Sequence, residues 1–285
     1  ILDAAQPREE KSVRLHEAHG RVLARPVAAL RTQPPFDASA MDGYAVRAAD
    51  VADAPVALKV VGTSAAGARY PGVVGAGEAV RIFTGAPVPS GADAIVIQEN
   101  TERDGEIARI LQGSPAGRHI RRKGLDFTGG EVLLEAGRVL DPAALALAAA
   151  GNHPALSVGK KPLVALIATG DELVLPGGDP DADQIVSSNA YGVAAIVAQA
   201  GGRPLDLGIA PDDITAIEAS VRQALDAGAD VIVTLGGASV GDHDLVNKAL
   251  TGLGLDLGFW KIAMRPGKPL MFGTFGATRC LGLPG

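Results

Sequence analysis

Two short, mainly apolar runs stand out in the second half of the chain, Leu163 to Ala168 (LVALIA) and the β-branched Asp230 to Leu235 (DVIVTL). Aliphatic, β-branched runs of this length without polar alternation predict strands buried on both faces of a sheet. Between them the spacing turns helical. A helix is predicted from Ser187, Ser188 or Asn189 to Gly201-Gly202, then a strand over Pro204 to Ile209. A second helix, capped by Asp212 or Asp213, carries Ile214, Ile217, Val221, Ala224 and Leu225 on one stripe. After the second run, Leu245, Val246, Ala249 and Leu250 predict a further helix capped by Asp242 or Asp244. The order β-α-β-α-β predicts a parallel sheet with crossover helices.

The first half has a looser rhythm. Val13, Leu15, Ala18, Val22 and Leu23 are the apolar positions of residues 1 to 30, read as a helix broken at Gly20. From Gln33-Pro34-Pro35 the chain becomes PPFDASAMDGYAV, an ordered loop leading to Tyr44-Ala45-Val46. Short strands are then predicted over Ala57 to Val61, Ala79 to Phe83, Ala94 to Glu99 and Glu106 to Leu111, separated by Gly- and Pro-rich turns, which makes a small β domain. Asp141-Pro142 predicts the start of a helix over Ala143 to Ala150, ending at Gly151.

Composition narrows the class. A chain of 285 residues, 47% hydrophobic and 20% charged, can bury a sizeable core and is expected to form two or more domains. Its net charge of −6 argues against nonspecific binding to nucleic acid or anionic membrane, so any phosphate-bearing ligand must be held locally. One cysteine, Cys280, leaves no internal disulfide and fits a reducing cytoplasm; it reads as a buried strand residue. No apolar run reaches the roughly 18 residues of a membrane span. The absence of a starting methionine and the abrupt Leu283-Pro284-Gly285 are read as the ends of a trimmed chain.

The polar residues gather at the predicted strand ends. Gly236-Gly237 after one buried run and Thr169-Gly170-Asp171-Glu172 after the other offer backbone N–H groups and carboxylates on tight turns, with Ser239 adding a hydroxyl. In open α/β sheets the ligand crevice lies beyond the carboxyl ends of the strands, so both tips are expected at one anion site. A plain strand–turn–helix joint is the alternative for either tip alone. Thr84-Gly85 ends another strand before two prolines, a stiff loop. Arg118, Arg121, Arg122 and Lys123 beside Asp126 form either an oxyanion clamp or a solvated face, with Asp126 their ion-pair partner or a separate site carboxylate. In FWKIAMRPGKPLMFG, Lys261 and Arg265 flank Ala263 at two-residue steps, so on a strand both cations would leave one face. Lys268 adds charge within the Pro-Gly-Lys-Pro turn.

Taken in order, PPFDASAMDGYAV, RIFTGAPVPSGADAIV, IRRKGLDF, ATGDELV, GGASVGDHD and FWKIAMRPGKPLMFG resemble the molybdopterin molybdenumtransferase family, which includes MoeA and the gephyrin E domain. The resemblance covers nearly the whole chain. It implies a multidomain α/β protein with a parallel three-layer α/β molybdopterin-binding domain over 159–285 and a small inserted β-rich domain over 36–117. Residues 1–35 and 118–158 would form a mixed linking domain. The family continues beyond Leu-Pro-Gly into a C-terminal β domain, expected to be absent here. The implied reaction inserts molybdate into adenylylated molybdopterin with release of AMP and uses Mg²⁺. By motif, Asp42, Glu172, Asp244, Lys261 and Arg265 take catalytic roles. Thr84, Arg121, Thr169, Gly170, Gly236, Gly237, Ser239 and Lys268 bind the pterin nucleotide, and Asp126, Asp212 and Asp244 the metal. Ala38 replaces an Asn common in the family, and Arg265 a Lys found in some members. The resemblance also implies a cytoplasmic homodimer with a shared site, Asp42 and Thr84 of one chain facing Gly237, Asp244 and Lys261 of the other, and the molybdopterin adenylyltransferase as a partner. A gephyrin-like scaffold and a related nucleotide-linked cofactor enzyme are the alternatives.

Overall fold

The computed structural model describes residue 1 and residues 4–237, 245–265 and 267–284. The chain divides into two compact units: residues 13–19 with 25–156, and residues 1–12 with 20–24 and 157–285.

In the first unit β1 (Gly43–Val46), β2 (Val56–Ser64), β3 (Glu78–Ile82), β4 (Ala94–Ile97), β5 (Thr101–Asp104) and β6 (Ile107–Ile110) form a six-stranded sheet in the order β4-β1-β3-β2-β6-β5. Only the β2–β3 pair is parallel; the others are antiparallel. Strand alternation sends Tyr44, Val46, Leu58, Val96 and Ile110 into one core and Ala45, Val80, Ile82 and Ile95 into another. The four strands expected here are present. Two more were not anticipated. In sequence Tyr44 to Val46 is only the stretch to which an ordered loop leads, and β5, sequence TERD with every residue at least partly exposed, carries no apolar signal. α1 (Pro142–Ala150) starts as predicted: the Ala144 N–H donates to Asp141 at 2.7 Å and Pro142 occupies the first turn.

The N-terminal stretch differs from the expected broken helix. A strand runs over Glu10–Arg14 and a single 3-10 turn over Leu15–Glu17. The Leu15 N–H donates to the Pro154 carbonyl and the Ala24 N–H to the Ser157 carbonyl, both at 3.0 Å. These donors are satisfied by chain distant in sequence, which removes the need for i→i−4 bonding.

In the second unit β7 (Leu163–Thr169), β8 (Arg203–Ala210), β9 (Val231–Leu235), β10 (Asp256–Trp260), β11 (Met271–Phe275) and β12 (Thr278–Leu283) lie in the order β8-β7-β9-β12-β11-β10. β8, β7 and β9 are parallel, as the β-α-β-α-β order predicted; β12 adds a fourth parallel strand that was not anticipated, and β11 and β10 extend the sheet antiparallel. Every residue of β7 is buried. Leu163, Ala165 and Ile167 pack with Ile217 and Val221 of α3 (Ile214–Asp226) and with Val246 and Leu250 of α4 (Leu245–Gly252). Val164 and Leu166 belong to a separate core with Ala190 and Val193 of α2 (Asn189–Gln199). Helices therefore cover both faces. Each large aliphatic side chain so buried contributes roughly 1.5–3 kcal/mol. Cys280 of β12 is fully buried as expected, and burial pushes its thiol up to about 12.

The strand expected to carry Lys261 and Arg265 is not formed. β10 stops at Trp260, and Lys261 has φ of 82°. The Lys261 N–H donates to Leu270 and the Ile262 N–H to Lys268, both at 2.9 Å, so the segment is the loop of the β10–β11 hairpin. Proline within it has no N–H to give a sheet ladder, and Gly267 turns the chain at φ of 103°.

Candidate functional site

The second unit has its site at a reversal of strand order. From β7 the chain crosses through α2 to β8 on one side, then through α3 back past β7 to β9 on the other. Beyond the carboxyl ends of β7 and β9 lies a cavity of about 110 Å³ lined by Thr169, Glu172, Leu173, Ser188, Asn189 and Gly236, among others. The two strand tips touch. Gly236 and Gly237 have φ of 94° and 65°, and a Cβ would stand 2.7 Å from the Thr169 carbonyl oxygen on the first and 2.8 Å from the Thr169 hydroxyl on the second. Glycine is required here by both conformation and space. The hydroxyls of Thr169 and Thr234 are buried and have no hydrogen-bond partner among the described residues. Buried polar groups of this kind call for a partner.

Around this cleft the acidic residues divide their tasks. The Glu172 carboxylate folds back over Gly170, filling the space where a Cβ would be. Asp171 accepts the Asp212 N–H at 3.0 Å, and Asp213 caps α3 by accepting the Ala216 N–H at 2.9 Å. This leaves the exposed carboxylate of Asp212 just past the end of β8. The first residues of α2 line the cavity, and the Ser188 side chain makes no cap bond there. A helix N-terminus of this sort favours an anion, an element that sequence spacing had not connected with the site. In the hairpin loop Arg265 and Lys268 are exposed, and the Lys261 ammonium lies 4.2 Å from the Trp260 ring centroid. Ser239, Asp242 and Asp244 lie outside the described residues.

The first unit gathers its own polar group. Asp42 accepts the Thr84 N–H at 2.7 Å and the Thr84 hydroxyl at 2.8 Å. These two donors, helped by the positive charge of Arg81, hold the Asp42 carboxyl below its ordinary value. Beside them a cavity of about 290 Å³ is lined by Pro34, Phe36, Ser39, Thr84, Gly85 and Arg121, among others. The cationic stretch is divided among ion pairs. Arg121 donates to both oxygens of Asp126 at 2.9 and 3.2 Å, so Asp126 is its partner. Arg122 pairs with Asp37 at 2.6 Å, and the Lys123 N–H, with Arg122 assisting, holds the Asp37 carboxyl below its ordinary value. An undivided four-cation clamp is not what the structure builds. Arg81, which sequence reading did not single out, sits two strand positions before Phe83 and three before Thr84.

An open α/β sheet with glycine-bearing strand tips and a cleft where strand order reverses defines a class of proteins that take ligands at that cleft. Comparison with known proteins is specific. Residues 1–151 match the MoeA N-terminal region (domain I and II), and residues 165–285 match a probable molybdopterin binding domain. The molybdopterin molybdenumtransferase of Haemophilus influenzae is 36% identical, with 98% of this chain and 69% of the relative covered. Molybdopterin molybdenumtransferase 2 of Mycobacterium tuberculosis is 40% identical over 96% of this chain and 70% of the relative. That of Nostoc sp. is 42% identical over all of this chain and 66% of the relative. A crystal structure of the molybdopterin biosynthesis MoeA protein from Pyrococcus horikoshii superposes with a TM-score of 0.83 at 30% identity, covering 99% of this chain and 71% of that one. The chain belongs to the molybdopterin molybdenumtransferase family. It spans about two thirds of the length of these relatives.

Proposed function

We propose that this chain carries binding and reacting groups of an enzyme that takes molybdate and adenylylated molybdopterin, cleaves the phosphoanhydride to release AMP, and leaves molybdenum on the pterin dithiolene. The observation that carries the reading is the pair of touching strand tips, Thr169-Gly170 and Gly236-Gly237, beside the open start of α2. Both substrates are oxyanions. In a chain of net charge −6 they need local donors; the Gly170 and Gly236 N–H groups are taken by the Ala210 and Leu283 carbonyls, so the buried, unpartnered Thr169 hydroxyl, the α2 N-terminus and the cations Lys261, Arg265 and Lys268 would supply them. Asp42, held by Thr84, would act as a base or orienting carboxylate on the reacting groups.

Mg²⁺ belongs to the same reading. Glu172 and Asp212 offer the hard oxygen donors this ion takes, with phosphate oxygens and water completing its shell, and the bound ion would neutralise phosphate charge. Asp126 fits that role poorly, because both its oxygens accept from Arg121. A homodimer with Asp42 and Thr84 of one protomer facing Gly237, Asp244 and Lys261 of its partner completes the proposal, as does supply of the nucleotide by an adenylyltransferase.

The test is AMP release from adenylylated molybdopterin, followed with and without molybdate and Mg²⁺. Release should depend on both. Turnover indifferent to either would sink the assignment.

A further inference from the structure

Arg81 lies on β3 directly opposite Tyr44 of β1, half-buried, with both terminal nitrogens hydrogen-bonded and two aromatic rings beside its guanidinium. One terminal nitrogen donates to the Gly43 carbonyl at 3.0 Å, and the other donates to the Gln98 side-chain oxygen. Its carbon stands 5.3 Å from the Tyr44 ring centroid and 4.8 Å from that of Phe83. Every one of these partners adjoins something that fixes Asp42. Gly43 and Tyr44 continue the chain from Asp42, and Phe83 precedes Thr84, whose two donors hold the carboxylate. The Gln98 N–H donates to the Asp42 carbonyl at 3.0 Å. A single planar cation therefore spans the three segments that meet at Asp42, two of them through its backbone and one, Thr84, through its carboxylate. An arginine with only a solubilising task extends its head into water. This one uses its fork and its π faces, which a lysine cannot reproduce together.

We propose that Arg81 is the positioning residue of the Asp42–Thr84 pair, fixing where the carboxylate stands without touching substrate. The proposal rests on the reading of Asp42 as a reacting group of molybdenum insertion. Its charge acts in the same sense as its geometry. After the two Thr84 hydrogen bonds, Arg81 is the charged side chain that draws the Asp42 carboxyl downward, while Thr84 and Gln98 are neutral.

The test follows the Thr84 amide resonance through acid titration in the wild type, Arg81→Gln and Arg81→Lys, with kcat and KM for AMP release measured alongside. In Arg81→Gln the amide should titrate at higher pH, because loss of the cation lets the carboxyl relax toward its ordinary value. Arg81→Lys keeps the charge but cannot bridge Gly43 and Gln98. Its midpoint should stay near that of the wild type while kcat falls about ten- to a hundredfold, the scale of a misplaced reacting group, with little change in KM. An amide titration in folded Arg81→Gln identical to the wild type overturns the proposal. So does a shifted titration with unchanged kcat in both variants, since the place of the carboxylate would then not matter. Asp42→Asn separates the two ideas: full turnover in that variant removes Asp42 from the chemistry, while the Thr84 amide still decides whether Arg81 positions it.

Discussion

At Lys261 the backbone enters the left-handed region, with φ of 82°, where a long side chain is uncommon. In an extended strand successive side chains leave opposite faces, so the ammonium of residue 261 could not reach the ring of residue 260. The turn makes the contact possible and sets the ammonium 4.2 Å from the indole centroid. Trp260 packs against the core, which gives the cation an anchored platform worth about 0.5–1 kcal/mol if exposed. It is the only tryptophan in the chain, so its emission reports this contact directly. Lys261→Met should alter Trp260 emission in the folded protein, and saturating molybdate should move wild-type emission toward the variant as the ammonium turns to the oxyanion. Identical spectra for variant and wild type would show that ring and ammonium are apart in solution.

Among the elements, the turn after β9 is the most constrained. Gly237→Ala places a methyl against the Thr169 hydroxyl at a φ of 65°, whereas Gly228→Ala meets a similar φ of 71° with nothing within 4 Å. The backbone contribution alone is roughly 1–2 kcal/mol for either. Urea unfolding should show the larger loss in Gly237→Ala, and only that variant should lose oxyanion affinity. Equal losses with intact binding would mean that the strand tips do not form the anion site. In α3, Ile217 is fully buried whereas Ile214 is 39% exposed. Ile217→Ala is therefore expected to lower unfolding free energy by about 2–5 kcal/mol, and Ile214→Ala by much less. Matching losses would contradict the orientation of the helix.

At the scale of the molecule, each unit holds its own core and its own share of the proposed chemistry, Asp42 and Thr84 in one and Thr169, Glu172 and Lys261 in the other. The proposed homodimer with a shared site makes a sharp expectation. Asp42→Asn and Glu172→Gln, each expected to be inactive alone, should then regain activity when unfolded and refolded together, since a mixed dimer carries both lesions in one site and none in the other. A mixture that stays inactive would place each site within a single chain. No helix among the described residues is long and apolar enough to cross a membrane.

Much of this architecture follows from local chemistry. The apolar runs of β7 and β9, the stripe of α3, the cap Asp141 and a cap at Asp212 or Asp213, of which the structure uses Asp213, are readable because each signal acts within a few residues: burial on both faces, a 3.6-residue period, a side chain bonding an N–H three residues on. The same reading put Thr169-Gly170 and Gly236-Gly237 at strand ends, hence at one crevice. Other features depend on partners far along the chain. The N-terminal residues abandon helical bonding for carbonyls near residue 155, and β5, polar throughout, becomes a strand only because β6 pairs with it. Spacing suggested one face for Lys261 and Arg265, but hairpin closure to Lys268 and Leu270 overrode it. Charge pairing was equally hidden. Whether Arg121 and Arg122 face a ligand or a carboxylate depends on where folding brings Asp126 and Asp37, and Arg81 gains its place at Asp42 only when β1, β3 and the end of β4 meet, because ion pairs and hydrogen bonds are set by distance in space.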